Sequence, residues 1–296
     1  MGRDATKPRT HEHEIVIDAP VEAVWKALTD AEELTRWFCE KARVTPGEGG
    51  RMWAAWGEND LQSDGKIIEV WEPGKRLTLV LDPKSQNMGP AATAAHLITV
   101  PIVLDYTLET REGKTVLRLV HSGIPDAPEW DGYFEGTRVG WPMFFIGLRH
   151  YLQKHAGKHR DPVVLMQAIS DSPSDAWEKF RKATEIGPTS GGDGLRGGER
   201  YKAKAGDGPG LEGRIEIYNP PKMLLLTADN LDDSLLAISF ECEGGMNFTY
   251  IALSTYGFEQ SRFQSFREQW LGWLNNLFPA PKVELKREEL RVMSDE

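Results

Sequence analysis

The sequence predicts an α+β fold written twice, each copy an antiparallel sheet covered by the helix that closes it. Three observations carry this. Trp141, Phe144, Phe145, Leu148 and Leu152 recur at helical spacing, as do Phe266, Trp270, Trp273, Leu274 and Leu277. Each of these apolar stripes follows a stretch in which hydrophobic residues alternate as they do in strands. Landmarks in the first half return in the same order in the second. At 296 residues the chain has room for two ordinary domains, each with its own core.

The first copy begins with a strand over Glu12–Asp18, where Ile15 and Ile17 share a face. His11 and His13 alternate at its start like a pair of metal ligands. With no third ligand to name, we read them as an exposed strand end. Pro20 suits the first turn of a helix whose apolar face is Val21, Val24, Trp25 and Leu28. Asp30 followed by Glu33 resembles a capping box and starts a second short helix, through Leu34, Trp37 and Phe38. Five strands are expected next: Arg51–Trp56, Lys66–Trp71, Arg76–Leu81, Pro101–Glu109 and Thr115–His121. Turn residues separate them, and residues 83–99 make an excursion longer than a hairpin needs. Leu104, Tyr106 and Leu108 share one strand face, whereas Asp105, Thr107 and Glu109 share the other. One side of the sheet is therefore apolar and one wet. Pro142 lies inside the stripe of the covering helix, which must either start or bend there. Leu148 belongs to the buried face of that helix and Arg149 to its exposed face.

Residues 155–162 read as a linker. A strand at Val163–Ser170 and a helix capped by Ser172 with Pro173 in its first turn then restart the pattern. Trp177 answers Trp25, Gly213-Arg214-Ile215 answers Gly65-Lys66-Ile67, and Gly272 answers Gly147. The two domains are placed at residues 11–155 and 163–279. Residues 187–213 are rich in glycine and are expected to replace the early strands of the second copy by a loop. They contain no phosphate loop and no dinucleotide fingerprint. The charged tail after Pro279 is read as a short helix or as disordered.

Composition narrows the function. The chain carries a formal net charge of −10, with 40% hydrophobic and 27% charged residues. That balance argues against a nucleic-acid partner. Cys39 and Cys242 fall in different copies and suggest neither a disulfide framework nor a zinc motif. There is no apolar run of membrane-spanning length, and the first ten residues lack the apolar core of a signal peptide. A cytoplasmic protein is expected.

The run Ile15-Val16-Ile17-Asp18-Ala19-Pro20-Val21-Glu22-Ala23-Val24-Trp25-Lys26-Ala27-Leu28-Thr29-Asp30, continued to Trp37-Phe38, precedes a long meander. His121-Ser122-Gly123 and the Gly140-Trp141 helix complete the order. Together they resemble the START/Bet v 1-like (SRPBCC) superfamily, and within it the group named after the activator of heat-shock protein 90 ATPase. The first copy matches over about residues 11–155 and the second more weakly. The resemblance implies two tandem helix-grip domains, each a seven-stranded sheet gripping a long C-terminal helix around a cavity. Superfamily members bind lipids, sterols, hormones or polyketides; some are cyclases, dehydratases or hydrolases, and the named group adds chaperone binding.

Chemistry within that frame is sparse. No Gly-x-Ser-x-Gly elbow is present, and neither cysteine has a histidine at a diagnostic spacing. Strand parity puts His121 on the apolar face, where it can act as a general base or simply make a hydrogen bond. We therefore expect non-catalytic binding of a small hydrophobic molecule, with no cofactor, no metal and no catalytic residue. The alternatives are a cyclase or hydrolase using His121, and a co-chaperone whose partner is a heat-shock chaperone. The expected site residues are Trp37, Phe38, Trp56, Tyr106 and His121, facing Phe145 and Leu148 across a cavity. The second copy, with bulky Trp270 and Trp273, is expected to be more completely filled.

The domain division has a direct consequence. Residues 1–158 expressed alone are expected to melt in one cooperative transition in circular dichroism. A broad, non-cooperative melt would show that the halves share one core.

Overall fold

The computed structural model describes residues 8–56, 62–82, 98–189, 194–206, 210–243 and 245–281. Most of the excursion at 83–99, the centre of the glycine-rich segment and almost all of the charged tail lie outside these residues.

The first unit is built from β1 (Arg9–Ile17), α1 (Val21–Thr29), α2 (Ala31–Trp37), β2 (Lys41–Thr45), β3 (Arg51–Trp56), β4 (Gln62–Glu72), β5 (Arg76–Leu81), β6 (Val103–Arg111), β7 (Lys114–Ile124) and α3 (Asp131–His150). The second repeats it with β8 (Arg160–Ile169), α4 (Pro173–Thr184), β9 (Gly187–Pro188), β10 (Arg200–Ala203), β11 (Leu211–Asn219), β12 (Met223–Ala228), β13 (Ser234–Glu243), β14 (Met246–Tyr256) and α5 (Gln260–Leu277). Each unit has one seven-stranded antiparallel sheet, ordered β1-β7-β6-β5-β4-β3-β2 in the first and β8-β14-β13-β12-β11-β10-β9 in the second. The two orders are the same once seven is added to each strand number. The fold is thus α+β, with two tandem helix-grip units.

The landmarks of the repeat fall in matching elements. Gly65 lies in β4 and Gly213 in β11, Trp25 in α1 and Trp177 in α4, Gly147 in α3 and Gly272 in α5. A side chain at Gly213 would put its first carbon 2.0 Å from the Thr227 carbonyl oxygen, so the sheet closes there only over glycine. Gly123 is constrained twice, by a φ of +82° and by the Pro101 carbonyl, 2.0 Å from where a Cβ would sit.

Several sequence expectations are refined. β2 is an edge strand that the pattern did not single out, because Lys41–Thr45 carries only Ala42 and Val44 on its inward face. The second unit keeps its early strands, shortened to β9 and β10, where a loop was expected. Asp30 caps α2 as anticipated, its carboxylate accepting from the Glu33 N–H at 2.9 Å. Glu33 does not return the bond. Its carboxylate instead takes Lys26, Arg36 and, at 2.6 Å, the Tyr151 hydroxyl. In the second unit Ser172 caps α4 with Pro173 in its first turn.

Helix α3 does not start at Pro142; it begins eleven residues earlier and contains the proline. Trp141, Phe145 and Leu148 face the first sheet and are buried. Its other side is not solvated. Met143 and Ile146 pack on Leu225, Leu235 and Ala237, on the outer face of the second sheet. Arg149, expected to be exposed, is half-buried and pairs with Glu216 of β11 at 2.7 Å. The helix ends in a π turn at Tyr151–His155. There His150 and His155 both give their Nε2–H to the Asp233 carbonyl, at 2.5 and 2.9 Å. Tyr256 of β14 is buried in the core of the first unit and stacks on His155, with ring centres 4.0 Å apart.

We propose that the chain divides into separately folding units at residues 155–162, with α3 belonging to the first. The two faces of α3 predict unequal costs. Leu148→Ala should destabilise by about 2–5 kcal/mol, because a fully buried side chain leaves a cavity. Arg149→Ala removes a partly exposed ion pair and should cost about 0.2–1 kcal/mol. Urea denaturation of the full chain compares them directly. Equal losses would place Leu148 on the wrong side of the helix.

Candidate functional site

Between α3 and the inner face of the first sheet lies a cavity of about 190 Å³. The helix creates it. Tyr133, Gly136, Thr137, Gly140, Trp141 and Phe144 fall at i, i+3, i+4, i+7, i+8 and i+11, a single stripe, and all six line the cavity. Where α3 would ordinarily fill the grip it carries glycine. A Cβ at Gly136 would have no neighbour within 4 Å, and one at Gly140 would meet only the Phe144 ring, at 3.9 Å. The sheet supplies Leu81, Leu104 and His121, and β3 and the end of α2 supply Trp56 and Phe38. Apolar walls with a few polar groups suit a small organic ligand.

Trp56 and Phe38 are held together. The Trp56 indole N–H donates to the Phe38 carbonyl at 2.9 Å, and their rings meet edge to face with centres 5.1 Å apart. Phe38 also contacts Phe144, and it is on the wall of all three of the cavities described. One of these, of about 40 Å³, lies beside Trp37 and Tyr106, which are both buried. The Trp37 indole is spent on the Ala27 carbonyl, at 2.9 Å. The third is a larger groove between the two units.

Of the expected residues, Phe38, Trp56 and His121 therefore share the 190 Å³ cavity, with Trp37 and Tyr106 next to it. Phe145 and Leu148 lie in the packed core and on the wall of none of the three cavities. Trp141 and Phe144 stand where those two were expected. Gly136, Thr137 and Gly140 were missed, although the stripe that contains them is regular in sequence. An apolar-residue search passes over glycine, and it is the glycines that make the room.

His121 sits on β7 opposite His11 of β1. It is 1% exposed. The Trp141 indole N–H donates to its Nδ1 at 3.2 Å, so the ring proton is on Nε2, which is buried and has no partner among the described residues. Burial, followed by the neighbouring His11, Lys66 and His13, holds His121 well below the usual histidine range. A second chain of bonds runs alongside. The Thr137 hydroxyl gives its proton to the Tyr133 carbonyl at 2.8 Å, so the His11 Nε2–H must donate to Thr137 Oγ1 at 3.0 Å. His11 Nδ1 then accepts from His13 Nε2, also at 3.0 Å. The expected exposed strand end is in fact a relay of neutral rings, with His11 buried and His13 half-buried. Burial and the nearby His13 and Arg138 lower His11 from 6.5 to about 4.

This arrangement limits the chemistry. A general base needs a free lone pair, and the lone pair of His121 is occupied by Trp141. Cys39 is buried, with its thiol pushed up to about 11 by desolvation, and lines none of the three cavities. Among the described residues no group of three histidine, cysteine or acidic side chains is placed to hold a metal. No helix among them is long and apolar enough to cross a membrane.

Residues 18–153 match the family described as Activator of Hsp90 ATPase homolog 1-like protein. That match covers most of the first unit. No curated protein matches the chain. Among solved structures, protein MLL2253 from Mesorhizobium loti is 25% identical over 50% of this chain and 98% of its own, with a TM-score of 0.41. The Aha1 dimer from Colwellia psychrerythraea is 19% identical over 50% of this chain and 99% of its own, with a TM-score of 0.40. The di-domain ARO/CYC BexL of the BE-7585A biosynthetic pathway is 13% identical over 92% of this chain and 99% of its own, with a TM-score of 0.42.

The histidines make stability depend on pH. His11, His13 and His121, and at the end of α3 His150 and His155, all have lowered pKa values in the fold, burial being the largest cause for each. Between about pH 6.5 and 4 the unfolded chain therefore binds protons that the folded chain refuses, and stability must fall as pH falls through that window. Urea melts at pH 7 and pH 4.5 should show the loss, and His11→Gln should show a smaller one. An equal loss in the variant would mean that His11 is not held neutral.

Proposed function

We propose that the protein binds a small hydrophobic molecule in the first unit and does not transform it. The observation that carries this reading is the 190 Å³ cavity opened by Gly136 and Gly140. Glycine inside a helix costs roughly 1 kcal/mol relative to alanine, and two within one turn of the covering helix are unfavourable unless the space has a use. Apolar cavities of about 150 Å³ accept benzene, so this one suits a ligand of one or two fused rings. The bond from Trp141 to His121 supports binding over catalysis, since it leaves His121 as a neutral donor rather than a base. We place the ligand against Phe38, Trp56 and His121, with Trp37 and Tyr106 behind them, Phe145 and Leu148 holding the helix in place, and no cofactor taking part. The second unit serves as support, its α5 bringing buried Trp270 into a core that also holds Phe240 and Phe278.

Gly140→Leu fills the cavity from the helix side while favouring the helix, so it separates loss of binding from loss of fold. The full chain should bind 2-naphthol saturably with 1:1 stoichiometry in isothermal titration. The variant should bind at least about tenfold more weakly without a lower melting temperature. Unchanged affinity would overturn the site. If neither protein binds while the wild type alters the ATPase rate of a heat-shock chaperone, the co-chaperone reading takes its place.

A further inference from the structure

The groove between the two units has a chemistry of its own. It measures about 550 Å³, within the range of organic-ligand sites, and lies at a domain interface, where such sites are common. On one side are Phe38, Trp56 and Phe144 of the first unit. On the other are Val164 and Met166 of β8 and Ala252 of β14, on the outer face of the second sheet. Met166 on this wall is 42% exposed.

Its charges are unbalanced. Arg160 and Arg267 line the groove, and among the described residues Glu40 is the one acid on its wall. Most arginines of this acidic chain have a carboxylate partner, Arg36, Arg76, Arg118 and Arg149 among them. Arg160 does not. It is half-buried, and its two terminal nitrogens donate to the backbone carbonyls of Trp37 and Cys39. Its Nε is buried without a partner among the described residues. Arg267 is exposed on α5 and makes no ion pair or hydrogen bond with them. A half-buried guanidinium served only by neutral acceptors is short of counter-charge. A carboxylate in the groove supplies that counter-charge, with the exposed fork of Arg267 free to hold it and Arg160 acting as a nearby cation.

We propose that this groove is a separate binding site for a small amphipathic carboxylate. The apolar body lies on Met166, Val164 and Phe144, and the carboxylate is taken by Arg267 and Arg160. The site does not require the inner cavity to be filled, although Phe38, Trp56 and Phe144 wall both. The second unit is then more than a support: its outer sheet face supplies one side of the site, and it supplies both cations, Arg160 from β8 and Arg267 from α5.

Decanoate and decanol, below their aggregation limits, make a matched pair of probes for the full chain, since they differ in the charged head. Isothermal titration should show one saturable decanoate site. Arg267→Glu, an exposed substitution, should weaken decanoate by about tenfold or more and change decanol by less than about twofold. Met166→Trp should weaken both, and Gly140→Leu neither. The proposal is overturned if decanoate shows no saturable binding, or if Arg267→Glu leaves its affinity unchanged. It is equally overturned if Gly140→Leu abolishes decanoate binding, which would put that ligand in the inner cavity. Binding of 2-naphthol to the same variants reads the inner cavity separately, so failure of one site is not mistaken for failure of the other.

Discussion

Helix α3 has to satisfy two sheets at once, and the rest of the structure follows from that. Trp141, Phe145 and Leu148 close the first core, while Met143 and Ile146 cover the outer face of the second sheet. A helix that is apolar on opposite sides is a buried helix, and a single sheet cannot bury it. Its termini are fixed accordingly. At the start, Arg9 donates to the Pro125 carbonyl and to Asp131, tying β1 to the first turn of α3. At the end, Tyr151 donates to Glu33 of α2 and accepts the Gly157 N–H, while His150 and His155 hold the Asp233 carbonyl of the second unit. With both ends and both long faces committed, the stripe Tyr133–Phe144 is the part of the helix left over, and there the packing opens.

Much of the fold was legible in the sequence because it is written in strong periodicities. The helical stripes, the alternation around Tyr106 and the cap at Asp30 each reflect a local rule with one physical solution. The repeat was legible for a related reason: a close backbone approach admits only glycine at Gly213, and Gly65 stands at the matching place in β4. What the sequence hid was tertiary. Nothing local to Met143 and Ile146 says that a second sheet will cover them, so Arg149 was read as solvated. β9 and β10 were read as loop because Gly187–Pro188 and Arg200–Ala203 are too short to show an alternation.

The site was half legible, and the division is instructive. Phe38, Trp56 and His121 were anticipated on the cavity wall because aromatic and titratable groups on an inward strand or helix face stand out. Phe145 and Leu148 were chosen by the same reasoning, yet a large side chain on the buried face of a helix fills space rather than leaving it. The cavity is lined instead by what is small. Gly136 and Gly140 contribute an absence of atoms, and Trp141 contributes a hydrogen bond that settles the protonation of His121. His11 and His13 illustrate the converse. Their alternation was visible, but whether a strand end is solvated depends on Thr137, which arrives from a helix more than a hundred residues away.

The account stands on an aromatic-walled void between α3 and the first sheet. Xenon enters such voids without needing a polar partner, so a crystal of the full chain pressurised with xenon reports on it directly. Xenon density bounded by His121, Gly140, Trp141 and Phe144 is the predicted result. Its absence there, with xenon instead in the core around Trp270 of the second unit, would contradict the assignment of the cavity to the first.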